Sequence, residues 1–252
     1  MSIHKWFAFN NLLNKKSLSE LIIPVFVLMS VSLVIVSTDL ELGIQKHFFV
    51  QDEGWVFQEN SPWNLLYDYG PFPGLILGFG AALVFLLSFF NLRFRLFRKR
   101  ALFLILVLFF GGWFLIHVFK EGMGPVFQDG MDRPRPRHVE NFEGDREYQP
   151  LFVRGENGSG KSFPSGHAAI AFYLISPFFV FRDRNRNWAY LFLIGGTAYG
   201  LFMGAARMVQ GGHFLSDVIW AGGFVYLTCW FFYHLLDLEK EAKNTRLNAR
   251  KY

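Results

Sequence analysis

Residues 91–120 read NLRFRLFRKR ALFLILVLFF GGWFLIHVFK. The first ten carry Arg93, Arg95, Arg98, Lys99 and Arg100, and the run from Ala101 to Phe119 carries no Asp, Glu, Lys or Arg. A helix needs roughly 20 apolar residues to cover about 30 Å of hydrocarbon, so this run predicts a membrane span. Short basic connections stay in the cytoplasm, which places the Arg93–Arg100 end inside.

Working outward, five further runs have the same character: about Leu21 to Val36, Phe72 to Leu92, Ser165 to Phe181, Trp188 to Ala206 and Phe214 to Leu236. The fold class expected is all-α, a polytopic membrane protein built as a six-transmembrane-helix bundle. Arg182, Arg184 and Arg186 fill another short connection, between spans four and five, and so mark a second cytoplasmic loop. Residues 1–20 and the basic tail 237–252 fall on that same side, which makes both termini cytoplasmic. An uncut first span fits this count better than a secretory signal peptide does, because no convincing small-residue cleavage site follows its apolar core. Ile3, Trp6, Phe7 and Leu13 suggest a short interfacial helix before it. Small residues recur at four-residue spacing in span five (Gly196, Gly200, Gly204) and span two (Gly74, Gly78, Ala82), the pattern of closely packed helices.

Composition agrees with a bilayer as the main partner: 52% of the 252 residues are hydrophobic and 19% aromatic. The net charge of +5 is dispersed between apolar runs and forms no continuous basic face, which argues against nucleic acid. Cys229 is the single cysteine, so an internal disulfide and a thiolate cluster are both excluded. The chain reads as one domain, 1–252, with two outer segments: about Asp39 to Pro71, acidic and aromatic, and 120–164, polar and rich in Gly and Arg. A connection of the second kind is usually functional or disordered.

Alternating spans bring the end of span three, the start of four, the end of five and the start of six to one side. Polar residues cluster at those places: Lys120; Arg133, Arg135 and Arg137; Ser162, Ser165 and His167; Arg207, His213 and Asp217. His213 and Asp217, four apart, share a helical face and can pair, leaving one imidazole nitrogen free to attack. An Asp one turn inside a membrane helix is costly without such a partner. Pro164 precedes Ser165, Gly166 and His167 at a helix start, where unpaired N–H groups and the helix dipole favour an anion. Lys120, Arg135 and Arg207 supply charge suited to a phosphate and to the charge that develops on it.

Lys120 with Arg133-Pro134-Arg135-Pro136, then Pro164-Ser165-Gly166-His167, then Arg207-x5-His213-x3-Asp217, resemble the three signature motifs of the type 2 phosphatidic acid phosphatase (PAP2) superfamily. The likeness covers roughly Ala101 to Tyr233. Pro134 to Phe142, followed by Ser162-Phe163-Pro164, is most similar to the branch containing lipid A 1-phosphatases. Two departures stand out: about eight extra positions between Lys120 and Arg133, and Ala206 where the family usually has Ser before the arginine. What the resemblance implies is a membrane lipid phosphatase with a periplasmic or exterior active site in a bacterial-type inner membrane. In it His213 would attack phosphorus to give a phosphohistidine, Asp217 would orient it, and His167 would protonate the leaving oxygen. Lys120, Arg135, Ser165, Gly166 and Arg207 would bind the phosphate, with Arg133 and Arg137 as further candidates. Cationic side chains take the electrostatic part of a divalent ion, so no metal and no other cofactor is expected. Lipid A is the favoured substrate; undecaprenyl diphosphate, phosphatidylglycerol phosphate and phosphatidic acid present the same phosphate.

Three rival readings fit less well. Gly155-x4-Gly160-Lys161-Ser162 matches the P-loop pattern but lacks the strand and parallel sheet that such a loop requires. A channel or transporter would carry its charges near the midplane, whereas these gather at span ends. A vanadium-dependent haloperoxidase has a similar anion pocket but is soluble. Asn157-Gly158-Ser159 also matches a glycosylation acceptor, a triplet common by chance.

Overall fold

The computed structural model describes residues 12, 14–122, 130–155 and 160–242. The proposed interfacial helix around Trp6 and the Asn157 triplet lie outside those residues. Among the described residues the fold is entirely helical: α1 (Lys15–Val36), α2 (Leu40–Lys46), α3 (Trp63–Tyr69), α4 (Phe72–Phe90), α5 (Leu92–Arg95), α6 (Arg98–Glu121), α7 (Gly166–Phe181), α8 (Arg186–Val209) and α9 (Leu215–Leu235).

Five helical stretches are long and apolar enough to cross a membrane: α1, α3 continued into α4 (Trp63–Phe90), α6, α8 and α9. The sixth expected span corresponds to α7, an apolar helix of 16 residues that is shorter than the other five. At 1.5 Å per residue it rises only about 24 Å. Its first residues form a turn against the start of α9, and a 3₁₀ turn at Tyr173–Ile175 followed by Pro177 interrupts its middle. Its flanking helices bury it: Ala168, Ala169 and Ala171 are fully covered.

The apolar rows explain the packing. Ile22, Phe26, Leu33, Ile76, Phe79, Leu83, Leu191 and Ile194 are exposed on the outer surfaces of α1, α4 and α8, as side chains facing lipid should be. α9 is the axis of the bundle, with Val218, Ala221, Val225 and Cys229 buried in the main core beside Phe103 and Val107 of α6 and Tyr173 of α7. Both small-residue stripes are used at close approach. A Cβ on Gly196 would come within 2.7 Å of Ile175 N, and one on Gly74 would overlap Ile170 O; outside the stripes, one on Gly111 would lie within 3.2 Å of the α9 backbone at Val225. The Gly111 contact falls in a π-helical turn of α6, Leu108–Phe114, which bulges toward α9.

The segments around Trp55 and Phe142 pack on each other and on the start of α9. Val139, Phe142 and Phe214 form a small core with Leu42, Phe49, Trp55 and Tyr148. The extra positions after Lys120 do not separate its neighbours in space, because Met131 N–H donates to Phe119 O at 2.7 Å and returns the chain to the end of α6. Ser162 N–H then donates to Arg133 O at 3.0 Å, laying the run into α7 beside the Arg-Pro segment. At the opposite end of the bundle, Arg182 and His234 both meet Glu20, tying α1 to the chain after α7 and to the last turn of α9.

Candidate active site

The first turn of α9 is built around Asp217. Its Oδ2 accepts from Phe214 N–H at 2.7 Å, capping the helix, and from the Ser162 hydroxyl at 2.6 Å. Its Oδ1 accepts from Arg133 Nη1 at 2.7 Å. Both ionic groups are fully buried. His213 Nδ1 stands 3.5 Å from Oδ2, so the predicted pair is present as close neighbours but makes no hydrogen bond. Such bonds are often long before substrate binds. The imidazole is 2% exposed, and its backbone carbonyl accepts from Gln45 Nε2 at 2.8 Å.

Two glycines make the turn that delivers His213. Gly211 adopts φ +58°, and the indole of Trp55 lies against its α-carbon, so a side chain would meet both strain and a ring. Gly212 lets the Arg207 guanidinium approach: a Cβ there would stand 2.6 Å from Nη2. Arg207 reaches this point from the last turn of α8, where Gln210 Oε1 accepts from Nη1 and the Tyr67 ring lies 4.5 Å from Cζ.

α7 starts against the same turn. Ser165 N–H donates to Asp217 O at 3.1 Å, and its hydroxyl accepts from Ala168 N–H at 3.4 Å as the helix cap. The hydroxyl proton stays available for an anion. Gly166 keeps the space above the helix open: a Cβ there would lie 4.0 Å from Lys120 Nζ. His167 follows, its ring stacked on Tyr67 with centroids 5.2 Å apart and planes inclined by 14°.

Arg135 is half-buried between these groups, and burial, with Arg137 beside it, lowers its pKa from the ordinary arginine value. Positive charge is therefore crowded here, a state that an anion relieves. Burial also pushes the His213 imidazole down to about 3 against the opposing pull of Asp217, with Lys120 and Arg207 adding to the depression. At neutral pH it is the uncharged base, the form with a lone pair to give.

The structure thus gathers His213, Asp217, Arg207, Lys120, Arg135, Ser165, Gly166 and His167 about the turn that opens α9. Of the two further candidates, Arg133 stands behind this group and Arg137 at its edge, beside Arg135 and Arg207. Arg133 has no surface to offer an anion, because its guanidinium is spent on Glu41 Oε2 (2.6 Å), Asp217, the Ser216 hydroxyl (2.7 Å) and Gln149 O (3.0 Å). Arg137 donates its backbone N–H to Gly211 O at 3.0 Å and exposes its side chain. The P-loop reading finds no support in placement: among the described residues there is no strand, Lys161 pairs with Glu121 at 2.7 Å, and Ser162 serves Asp217. Sequence reasoning missed Glu41, Gln45, Tyr67 and Tyr148, all but the last from the segment between α1 and α4. Glu41, fully buried, also accepts from Ser216 N–H at 2.7 Å and the Tyr148 hydroxyl at 3.1 Å. Among the described residues no three His, Cys, Asp or Glu side chains assemble as a metal-ligand set.

Comparison with known proteins leads to the same turn. The family model for the PAP2 superfamily matches residues 101–241. A lipid A 4'-phosphatase of Francisella tularensis subsp. novicida (strain U112) is 35% identical over 161 residues, 63% of this chain and 69% of that protein. No solved structure matches. Since the family match spans α6 to α9 and takes in each motif residue from Lys120 to Asp217, this chain belongs to the PAP2 superfamily and is a membrane-embedded hydrolase of phosphate esters.

Proposed function

We propose that the protein removes a phosphate from lipid A at the outer face of a bacterial inner membrane, through a phosphohistidine on His213. The observation that carries this reading is the neutral, buried imidazole of His213 beside Asp217, at the centre of three cationic side chains and one helix N-terminus. Nδ1 faces the carboxylate, which leaves Nε2 to attack phosphorus. The lipid oxygen departs with a proton from His167, and water then attacks the phosphohistidine after giving its proton to the same imidazole. Lys120, Arg135, Arg207, the Ser165 hydroxyl and the Gly166 N–H hold the three phosphoryl oxygens as charge develops on them. The electrostatic demand of phosphoryl transfer is met by side chains, so the reaction proceeds without a divalent ion.

Lipid A is favoured over phosphatidic acid, phosphatidylglycerol phosphate and undecaprenyl diphosphate by the identity to a lipid A 4'-phosphatase and by the Arg-Pro segment at Pro134 to Phe142. Those two observations point to different positions on the disaccharide. The identity extends over 161 residues against nine for the segment, so the 4'-phosphate is the position proposed and the 1-phosphate the second reading. The basic connections Arg93–Arg100 and Arg182–Arg186 support cytoplasmic termini, with the site on the far side.

A phosphate-release panel over the four lipids, with chelator present, tests the reading. Mass spectrometry of the lipid A product separates loss at 1 from loss at 4'. Wild type should release phosphate from lipid A fastest, and His213→Ala should abolish release. Activity that disappears with chelator, or that survives His213→Ala, defeats the mechanism; a faster rate on another lipid defeats the substrate.

A further inference from the structure

Tyr67 lies in α3, outside the matched family region, and touches two groups of the site at once. Its ring stacks on the His167 imidazole and lies 4.5 Å from the Arg207 guanidinium carbon. Tyr67 itself is 44% exposed, and the helix that carries it is fastened in place. Tyr199 donates its hydroxyl hydrogen to Gly70 O at 2.9 Å, Gln210 Nε2 donates to Trp63 O at 3.3 Å, and the Trp63 ring packs on Phe202 with centroids 5.7 Å apart. All three contacts fasten α3 to the outer end of α8 and its cap.

This placement matters for the proton that the leaving oxygen needs. A protonated His167 faces Lys120 from α6, Arg135 from the Arg-Pro segment and Arg207 from α8, each of like charge. The face of an aromatic ring carries negative potential and attracts a cation stacked on it. We propose that Tyr67 is a positioning residue for proton donation: its ring fixes the plane of His167 and favours the imidazolium among three neighbouring cations. The inference rests on the reading in which His167 protonates the leaving oxygen.

The test uses the full chain in detergent, with kcat measured from pH 5 to 9 on a lipid phosphate and on p-nitrophenyl phosphate, whose leaving group departs without a proton. Tyr67→Phe keeps the ring and should retain the alkaline limb of the wild type. Tyr67→Leu should move that limb about half a pH unit toward acid. It should also lower kcat on the lipid by about tenfold while leaving kcat on the aryl phosphate within about threefold. A Tyr67→Leu limb identical to the wild type, or equal losses of kcat on both substrates, overturns the proposal, and so does Tyr67→Phe failing as badly as Tyr67→Leu. His167→Ala separates the two levels: if it too loses no more on the lipid than on the aryl phosphate, His167 is not the proton donor and the parent mechanism has failed.

Discussion

Arg133 and Asp217, 84 positions apart in the chain, meet at 2.7 Å with neither side chain exposed to solvent. The same guanidinium reaches Glu41, so one positive charge is shared between two buried carboxylates, one from α2 and one from α9. This fixes where Asp217 points. With Oδ1 taken by Arg133, Oδ2 is turned toward Phe214 N–H, Ser162 and the imidazole of His213.

Arg133→Gln should therefore act on stability first. Removing one partner of a buried ion pair leaves charge without compensation and typically costs about 3–5 kcal/mol. Thermal unfolding in detergent should show a large drop. Arg135→Gln, at a half-buried position facing the cation cluster, should leave the melting temperature near that of wild type and lower kcat/KM by roughly 10²–10³. An Arg133→Gln protein that melts like wild type while losing activity would return Arg133 to the anion site.

Glu41→Gln is milder, because Arg133 keeps Asp217 and the amide oxygen can still accept from Ser216 N–H. The loss expected is that of one charge-assisted hydrogen bond, about 1.5–3 kcal/mol. A cycle with Arg133→Gln should give a coupling energy above about 1 kcal/mol, since the two side chains touch. Simple additivity in chemical or thermal denaturation would show that the 2.6 Å contact contributes nothing of its own.

Much of this site was legible in the sequence because its chemistry sits at helix ends. A helix that starts at Pro164-Ser165-Gly166-His167 and another that starts after His213 had to present those residues at the membrane surface, and alternating spans put the two starts on one side. Arg133 misled because sequence gives charge and position but not burial; a guanidinium beside Arg135 looks like a phosphate ligand until Glu41 is seen against it. Nothing local marks Glu41, Gln45 or Tyr67, since their partners lie 92, 168 and about 100 positions away. The burial of the fourth apolar run was hidden for a related reason. Ser165 to Phe181 is apolar enough for a membrane, but its protection comes from neighbouring helices, and that is a property of packing rather than of composition.

Gly212→Ala probes the approach of Arg207 to the His213 turn. Gly212 lies outside the left-handed region, so alanine carries no backbone penalty there, but its Cβ would press on Nη2 from 2.6 Å. A guanidinium can swing away, so folding should survive and phosphate contacts should suffer. The expected result is an unchanged melting temperature with kcat/KM down by about 10- to 100-fold. Gly211→Ala is the contrasting variant, since strain at φ +58° and the Trp55 ring should lower stability as well. Full activity in Gly212→Ala would mean that Arg207 does not need its observed position.

The pH dependence expected at His213 follows from its burial. His213 has a pKa of about 3 in the folded protein, below the ordinary value of about 6.5 for an unfolded histidine. The folded state therefore binds fewer protons at this residue, and stability falls as pH drops from about 6.5 toward 3, while above that window its contribution is constant. On the proposed mechanism, the same depression keeps the attacking lone pair available in the free enzyme across that window. After correction for ionisation of the substrate phosphate, kcat/KM on an aryl phosphate should stay level down to about pH 4 wherever the protein remains folded. His213→Gln should lose all turnover yet unfold less readily in acid than wild type, because it removes a group that must gain a proton on unfolding. If the corrected profile instead falls with a midpoint near 6.5, the imidazole is solvated and charged in the resting enzyme, and its low basicity is not what prepares it to attack.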